Sequence, residues 1–373
     1  MRRAALCLMC LAAPAVAQES AAAARAAAAQ LEAATVQLDR ADGARDRIRA
    51  LTETVRAYEA GLSAMRDGLR DAAIRETELS RKLRGREDEV AQLLGALQGI
   101  GRAAAPETLL HPAGPVGTAR SGMLLAAVTP GLAANAADLR ADLAEVTTLR
   151  QLQEDAVKTL QQGLAGVQQA RTALSHAMAE RTELPMRFTE DPVRTAILIS
   201  ATETLEGFAS GLSEITEEDS ESLLPSIEGR MGTLPWPVSG QILRRAGQED
   251  AAGVERPGVV LATRPRALVT TPTSATIRYR GPLLDYGLVS ILEPQADLLF
   301  VLAGLDTVYG EIGEVLAAGA PVGLMGGTEA ETGDILSPIG DRAGNARPET
   351  LYIEVRQGDL PVDPMTWFST DKG

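Results

Sequence analysis

From Ile48 onward the apolar residues recur alternately three and four positions apart. The run is Ile48, Leu51, Val55, Tyr58, Leu62, Met65, Leu69, Ala72, Leu79, Leu83, Val90, Leu93, Leu97 and Ile100, with Glu76 and Arg86 standing in register where an apolar residue would be. Charged residues fill the positions between. A stripe of this period gives paired helices one continuous seam, so the pattern predicts a coiled coil. A second seam passes through Leu132, Ala136, Leu139, Leu143, Val146, Val157, Leu160, Leu164, Val167, Leu174 and Met178, and is interrupted by Arg150, Gln153 and Arg171. At 1.5 Å per residue the seams extend roughly 80 and 70 Å. Their similar lengths predict an antiparallel hairpin; a parallel homodimeric coil is the alternative. The Ala-rich 19–47 stretch is expected to continue the first helix with a weaker seam. Pro106, Pro112, Pro115 and Pro130 are expected to break helix between the two seams, with 101–122 reversing the chain.

After Pro185 the pattern changes. Asp191-Pro192 suits a helix start, with Asp as cap and Pro in the first turn. Ile197, Ala201, Leu205, Phe208, Leu212 and Ile215 then form one apolar stripe, flanked by Glu203, Glu206, Glu214, Glu217, Glu218, Asp219 and Glu221. Pro225, Gly229, Gly232, Pro235 and Pro237 mark a linker. Short β-branched runs follow at 259–262, 267–271, 275–280, 288–293, 298–303 and 351–356, separated by Gly and Pro, and predict a small antiparallel β domain. Residues 315–323, VLAAGAPVG, read as a tight turn before a strand. Alternation along 351–356 assigns Leu351, Ile353 and Val355 to a core, and Tyr352, Glu354 and Arg356 to the other face. The fold class is therefore α plus β and multidomain: a long antiparallel α-helical coiled-coil hairpin followed by a small antiparallel β domain.

Only 3% of the residues are aromatic, which suits long helices better than a thick globular core. The formal charge of −14 argues against nucleic-acid binding, which needs clustered Lys and Arg. The opening MRRAALCLMCLAAPAVAQE has basic residues, a short apolar run and Ala15-Val16-Ala17, and reads as a secretory signal cleaved after Ala17. A lipoprotein signal at Cys7 or Cys10 is the alternative, without the small residues expected ahead of the cysteine. Cleavage would remove both cysteines and leave no thiol chemistry. No later stretch predicts a membrane span.

Candidate chemistry is sparse. His111 falls in a Pro/Gly-flanked turn and is expected to be an exposed loop residue; His176 lies beside the second seam and reads as solvated. Glu293, Asp297, Asp306, Glu311 and Glu314 are scattered without ligand spacing, and no Gly-rich phosphate loop or nucleophile elbow occurs.

The order LPWPVSG, GVERPGVVLATRP, TPTSATIRYRGPLLDYG, VLAGLD, GEVLAAGAPVGLMG and ETLYIEVRQGDLPVDPMTWF resembles the LytM (lysostaphin-type) zinc endopeptidase domain. The family's H-x-G-x-D motif falls on residues 256–260, placing Arg256 and Val260 at its histidine and aspartate. Its Y-A-H-L-like motif puts Gly304 at the histidine, and its late H-x-H motif falls on Thr350 and Tyr352. None of these side chains is a zinc ligand of the usual kind, so the resemblance implies a degenerate domain with neither metal nor cofactor and no catalytic residues.

The whole chain, hairpin then degenerate LytM domain, resembles the EnvC-like murein hydrolase activators. That resemblance implies a non-enzymatic periplasmic protein at the division site, recruited through the FtsX periplasmic domain of the FtsEX complex. It also implies activation of zinc-dependent N-acetylmuramoyl-L-alanine amidases that separate daughter cells. The expected partner groove holds Arg256, Tyr352, Glu354 and Arg356, and the expected autoinhibitory helix presents Ile197, Leu205, Phe208 and Leu212. The expected segments are a signal peptide (1–17), the hairpin (18–184), a regulatory helix and linker (185–233) and the LytM-like β domain (234–373). An active LytM-type zinc endopeptidase and a periplasmic adaptor or scaffold are the alternatives.

Overall fold

A computed structural model describes residues 14–41, 43–85, 114–181, 192–202, 204–217, 226–249, 253–328 and 349–369, with Ala91, Gly95, Leu184, Met186 and Arg187. The chain divides into two compact units. One contains Gly61–Leu164 with the chain up to Ala26, and the other contains Ala27–Ala60 with the chain from Ala165 onward.

In the first unit, α2 (Ala44–Gly85) from Gly61 onward runs antiparallel to α3 (Gly114–Ala179). Lys82 pairs with Asp142 at 2.7 Å, Arg75 with Glu145 at 2.9 Å and Arg150 with Glu76 at 3.0 Å, so numbers rise along one helix as they fall along the other. Leu62, Leu69, Leu79, Val146 and Leu160 are buried, as the seams require. Gly163 lies so close to Leu62 that a Cβ there would meet its Cδ2 at 2.9 Å, which explains a glycine in the middle of a long helix. Glu76 and Arg150, interruptions of the two seams, answer one another as an ion pair. Leu143 departs from expectation, 51% exposed at a seam position.

Two expectations about these helices are corrected. The Ala-rich stretch does not run on into the first seam. Helix α1 (Pro14–Asp39) ends in a turn in which the Arg40 and Ala41 N–H groups bond the Gln37 and Leu38 carbonyls, and α2 starts after Gly43. Nor do Pro115 and Pro130 break helix. Pro115 lies in the first turn of α3, where its missing N–H costs nothing, and Pro130 is carried inside the helix. Pro106, Pro112 and His111 fall outside the described residues, as do the seam positions Arg86, Val90, Leu93, Leu97 and Ile100 and most of the proposed signal. Among the described residues no helix is long and apolar enough to cross a membrane.

The second unit carries the sheet. Its strands are β1 (Gly240–Arg244), β2 (Val259–Thr263), β3 (Leu268–Thr270), β4 (Ala275–Pro282), β5 (Leu288–Gln295), β6 (Leu298–Val308), β7 (Val315–Leu316), β8 (Pro321–Met325), β9 (Glu349–Gln357) and β10 (Leu360–Val362). Every pairing is antiparallel, in the order β1-β2-β9-β6-β5-β4-β7, with β10 on β9 and β8 linking β6 to β3. Sequence alternation anticipates six of these strands; β1, β7, β8 and β10 are short or Gly/Pro-containing and gave weak patterns.

The sheet has a core on each face. On one side Val259, Leu261, Ile277, Phe300, Leu302, Leu351, Ile353 and Val355 pack with Leu234, Trp367 and Phe368, and Trp236 stacks on Phe368 with centroids 4.7 Å apart. On the other side Tyr279, Ile291, Leu299, Val301, Ala303 and Tyr352 pack under helix α5 (Leu205–Glu217). The single long stripe expected from Ile197 to Ile215 is in fact two helices. Helix α4 (Pro192–Ala201) ends before Thr202, and the Thr204 hydroxyl accepts the Gly207 N–H at 3.0 Å, capping a fresh start.

Candidate functional site

The three segments at 256–260, 302–305 and 350–352 converge because β2, β9 and β6 are neighbours. Tyr352 stands opposite Val260 on one side and Ala303 on the other, so its ring rises from the centre of the helix-facing surface. Gly258 lies beneath that ring; a Cβ there would come within 2.5 Å of it. Gly304 has φ of 92°, and a Cβ would meet the Thr350 carbonyl oxygen at 2.6 Å. This backbone therefore admits a glycine at 304 and resists the imidazole-bearing residue of the family pattern. Thr350 is exposed at the start of β9.

A chain of hydrogen bonds fills the space at the centre. The Tyr352 hydroxyl accepts the Gly258 N–H at 3.1 Å and donates to Glu354 Oε2 at 2.7 Å. Glu354 Oε1 accepts from Arg356 Nη1 at 2.9 Å, and Arg356 Nη2 donates to Ser210 Oγ at 2.9 Å and to the Asp359 carbonyl oxygen. Burial, reinforced by the adjacent Glu354 carboxylate, raises the Tyr352 phenol far above its ordinary value, so it remains a protonated donor. Arg256 lies over the Tyr286 ring, 5.2 Å from its centroid, and Tyr286 leans on Tyr352 with centroids 5.7 Å apart. Burial raises the Tyr286 phenol as well, against the opposing pull of Arg256.

The side chains at these positions do not suit zinc. A metal would meet a guanidinium, an isopropyl group and a phenol held protonated in place of imidazole and carboxylate. Among the described residues no group of three or more His, Cys, Asp and Glu side chains is placed to hold a metal.

Helix α5 covers this surface. Leu205, Phe208 and Leu212 are buried against it, and Phe208 meets Tyr279 edge-on at 4.7 Å. Tyr352, Glu354 and Arg356 share a face, and α5 lies over it, leaving them buried, with Arg356 at 0% exposure. One expectation, that Ile197 joins the covering stripe, fails. Ile197 is 59% exposed, because the break after Ala201 turns α4 out of the line of the α5 stripe; Leu198 and Ile199 pack against the core instead. The described partners of Arg356 are Glu354, Ser210 and Asp359. Glu203, Glu218, Asp219 and Glu221 fall outside the described residues. Ser210 carried no sequence signal, since a lone serine at the edge of an apolar stripe is unremarkable there.

Four of the five scattered carboxylates pair with arginines, Asp306 with Arg266 and Glu311 with Arg280 among them. Glu293 is bound by Arg187 at 2.9 Å and Arg278 at 3.1 Å, and Glu314 by Arg181. Burial raises the Glu293 carboxyl, opposed by both arginines. His176 is exposed, its Nδ1 3.1 Å from Glu180.

No family model matches the sequence. The uncharacterized protein NMB1333 of Neisseria meningitidis serogroup B is 28% identical over 166 residues, 42% of this chain and 25% of that protein. The chain thus spans about a quarter of that relative. Among solved structures, Helicobacter pylori Csd3 aligns with TM-score 0.28 and 20% identity over 38% of this chain and 36% of its own. A putative peptidase M23 from Pseudomonas aeruginosa aligns with TM-score 0.30 and 15% identity over 48% and 66%. Lysostaphin aligns with TM-score 0.28 and 17% identity over 37% and 58%.

Proposed function

We propose that this chain is a non-enzymatic, EnvC-like activator of cell-wall amidases whose degenerate LytM groove is covered by its own helix. The observation that carries the reading is the former ligand centre itself. Gly258, Val260, Gly304, Thr350 and Tyr352 come together on adjacent strands as the LytM motif order requires, yet the space is filled by the Tyr352–Glu354–Arg356 chain and closed by Ser210 of α5. A site of this composition binds rather than cleaves. The apolar residues Leu205, Phe208 and Leu212 lend the cover affinity, and Arg356 gives it register.

In this reading the protein acts in the periplasm at the division site. FtsX moves the helical hairpin, α5 leaves the groove, and a zinc-dependent N-acetylmuramoyl-L-alanine amidase takes its place and is switched on. Shifting a cover from mostly closed to mostly open requires roughly 5 kcal/mol of differential binding. That scale suits a helix held by a few apolar side chains and one charge-assisted bond.

The test is reconstitution. Purified protein should not release dye-labelled fragments from peptidoglycan, with or without added zinc. Leu205→Glu with Phe208→Glu should stimulate an amidase without FtsEX, and wild type should not. Cleavage by the protein alone would replace this reading with the endopeptidase one. A well-folded double variant that leaves the amidase silent would remove the cover from the mechanism.

A further inference from the structure

Strand β3 is an edge, paired with β8 alone. On its other side the Thr270 N–H donates to the Pro237 carbonyl at 2.8 Å, while the Leu268 N–H has no strand partner among the described residues, and an unpaired edge is both a point of fraying and an attachment site for foreign strands. Helix α2 closes it. Glu59 Oε1 accepts the Leu268 N–H at 3.0 Å and, at the same time, Arg171 Nη2 of α3 at 2.9 Å. One turn earlier Arg56 Nη2 donates to Thr270 Oγ1 at 2.6 Å, and Arg264 Nη1 returns a bond to the Glu59 carbonyl oxygen at 3.1 Å. Arg171 interrupts the apolar seam and is buried, a placement that is costly without a partner. One carboxylate thus satisfies a seam-breaking arginine and an edge-strand amide that the sequence places far apart.

The chain that leaves this point leads to the groove. Beyond Arg171, α3 ends at Ala179 and Arg181 binds Glu314. The Arg187 N–H then bonds the Gly313 carbonyl at 2.8 Å, its guanidinium holds Glu293, and α4 begins at Pro192. Glu293 lies on β5 two residues from Ile291, which packs under α5.

We propose that Glu59 is a hook joining the base of the helical pair to the open edge of β3, and that its release loosens α5 through the segment 171–187. The proposal rests on reading α5 as a releasable cover. Displacing α2 at this point breaks the Leu268 and Arg171 bonds together, because both end on the same oxygen.

Hydrogen exchange on the full-length protein tests it, comparing wild type with Glu59→Leu, Glu59→Gln and Arg56→Met. Glu59→Leu should speed exchange about tenfold or more at 268–270 and also at 205–217. Glu59→Gln retains an acceptor oxygen and should keep the Leu268 amide protected. Arg56→Met removes the Thr270 bond and a pair with Glu53 on the same helix, leaves both Glu59 bonds in place, and should give a smaller rise in both segments, which preserves the test if Glu59→Leu does not fold. Faster exchange confined to 268–270 would overturn the coupling, and unchanged exchange at 268–270 would overturn the hook. The cover reading fails separately, through a silent Leu205→Glu/Phe208→Glu protein in the amidase assay, and coupled exchange would survive that failure.

Discussion

At the scale of single residues, Tyr352 organises the candidate site. Its hydroxyl accepts a hydrogen bond from the Gly258 N–H and donates one to the Glu354 carboxylate, so these buried polar groups satisfy one another. Tyr352→Phe keeps the ring but strands the Gly258 N–H and one oxygen of Glu354, at a cost of about 1–3 kcal/mol for each unsatisfied buried group. Chemical denaturation should report a lower midpoint with an unchanged slope. Glu293 gives a pH prediction. Its carboxyl is raised by burial, so the folded state holds the proton more tightly than the unfolded chain. The stabilisation is complete below the unfolded value near 4.5 and is lost as pH rises through the higher folded value. The melting temperature of wild type relative to Glu293→Gln should therefore fall between mildly acidic and neutral pH; a rise would mean that Arg187 and Arg278 dominate the burial cost.

Among the elements, α5 is the informative one. The 3.6-residue period marks Leu205, Phe208 and Leu212 as one stripe, and that stripe is buried. The period does not reveal the break at Thr202–Thr204, because threonine is tolerated within helices and becomes a cap only when the chain must turn. Ser210→Ala removes the sole described bond from α5 to Arg356. It should raise basal amidase stimulation modestly, by the severalfold expected for about 1 kcal/mol, while Leu205→Glu and Phe208→Glu together raise it far more. Equal effects would shift the weight of the cover from apolar packing to the hydrogen bond. In the helical pair, Glu76 and Arg150 looked like separate defects in two seams, and only the antiparallel alignment makes them partners.

At the scale of the whole molecule, the compact unit that contains the sheet also takes in Ala27–Ala60 and Ala165 onward, well beyond the sequence boundary drawn at 234. A fragment of residues 230–373 would lose Arg181 from Glu314 and Arg187 from Glu293, and would uncover the Leu268 N–H. Removing one partner of a buried ion pair costs about 3–5 kcal/mol. The fragment should melt well below the full-length protein, and scanning calorimetry of the two would show it.

The sequence alone determined whatever depends on period and on residue type. Helical seams, and the alternation that separates Leu351, Ile353 and Val355 from Tyr352, Glu354 and Arg356, are properties of spacing and side-chain chemistry. The tertiary structure decided what covers what. A period of two states which side chains share a face, but whether water or a helix lies over that face depends on segments more than a hundred residues away. Hence Arg356 is wholly buried against Ser210, and Glu59 reaches Leu268 across more than two hundred residues of chain. Local patterns carry no record of such pairings, because each partner taken alone is an ordinary polar residue on an ordinary element.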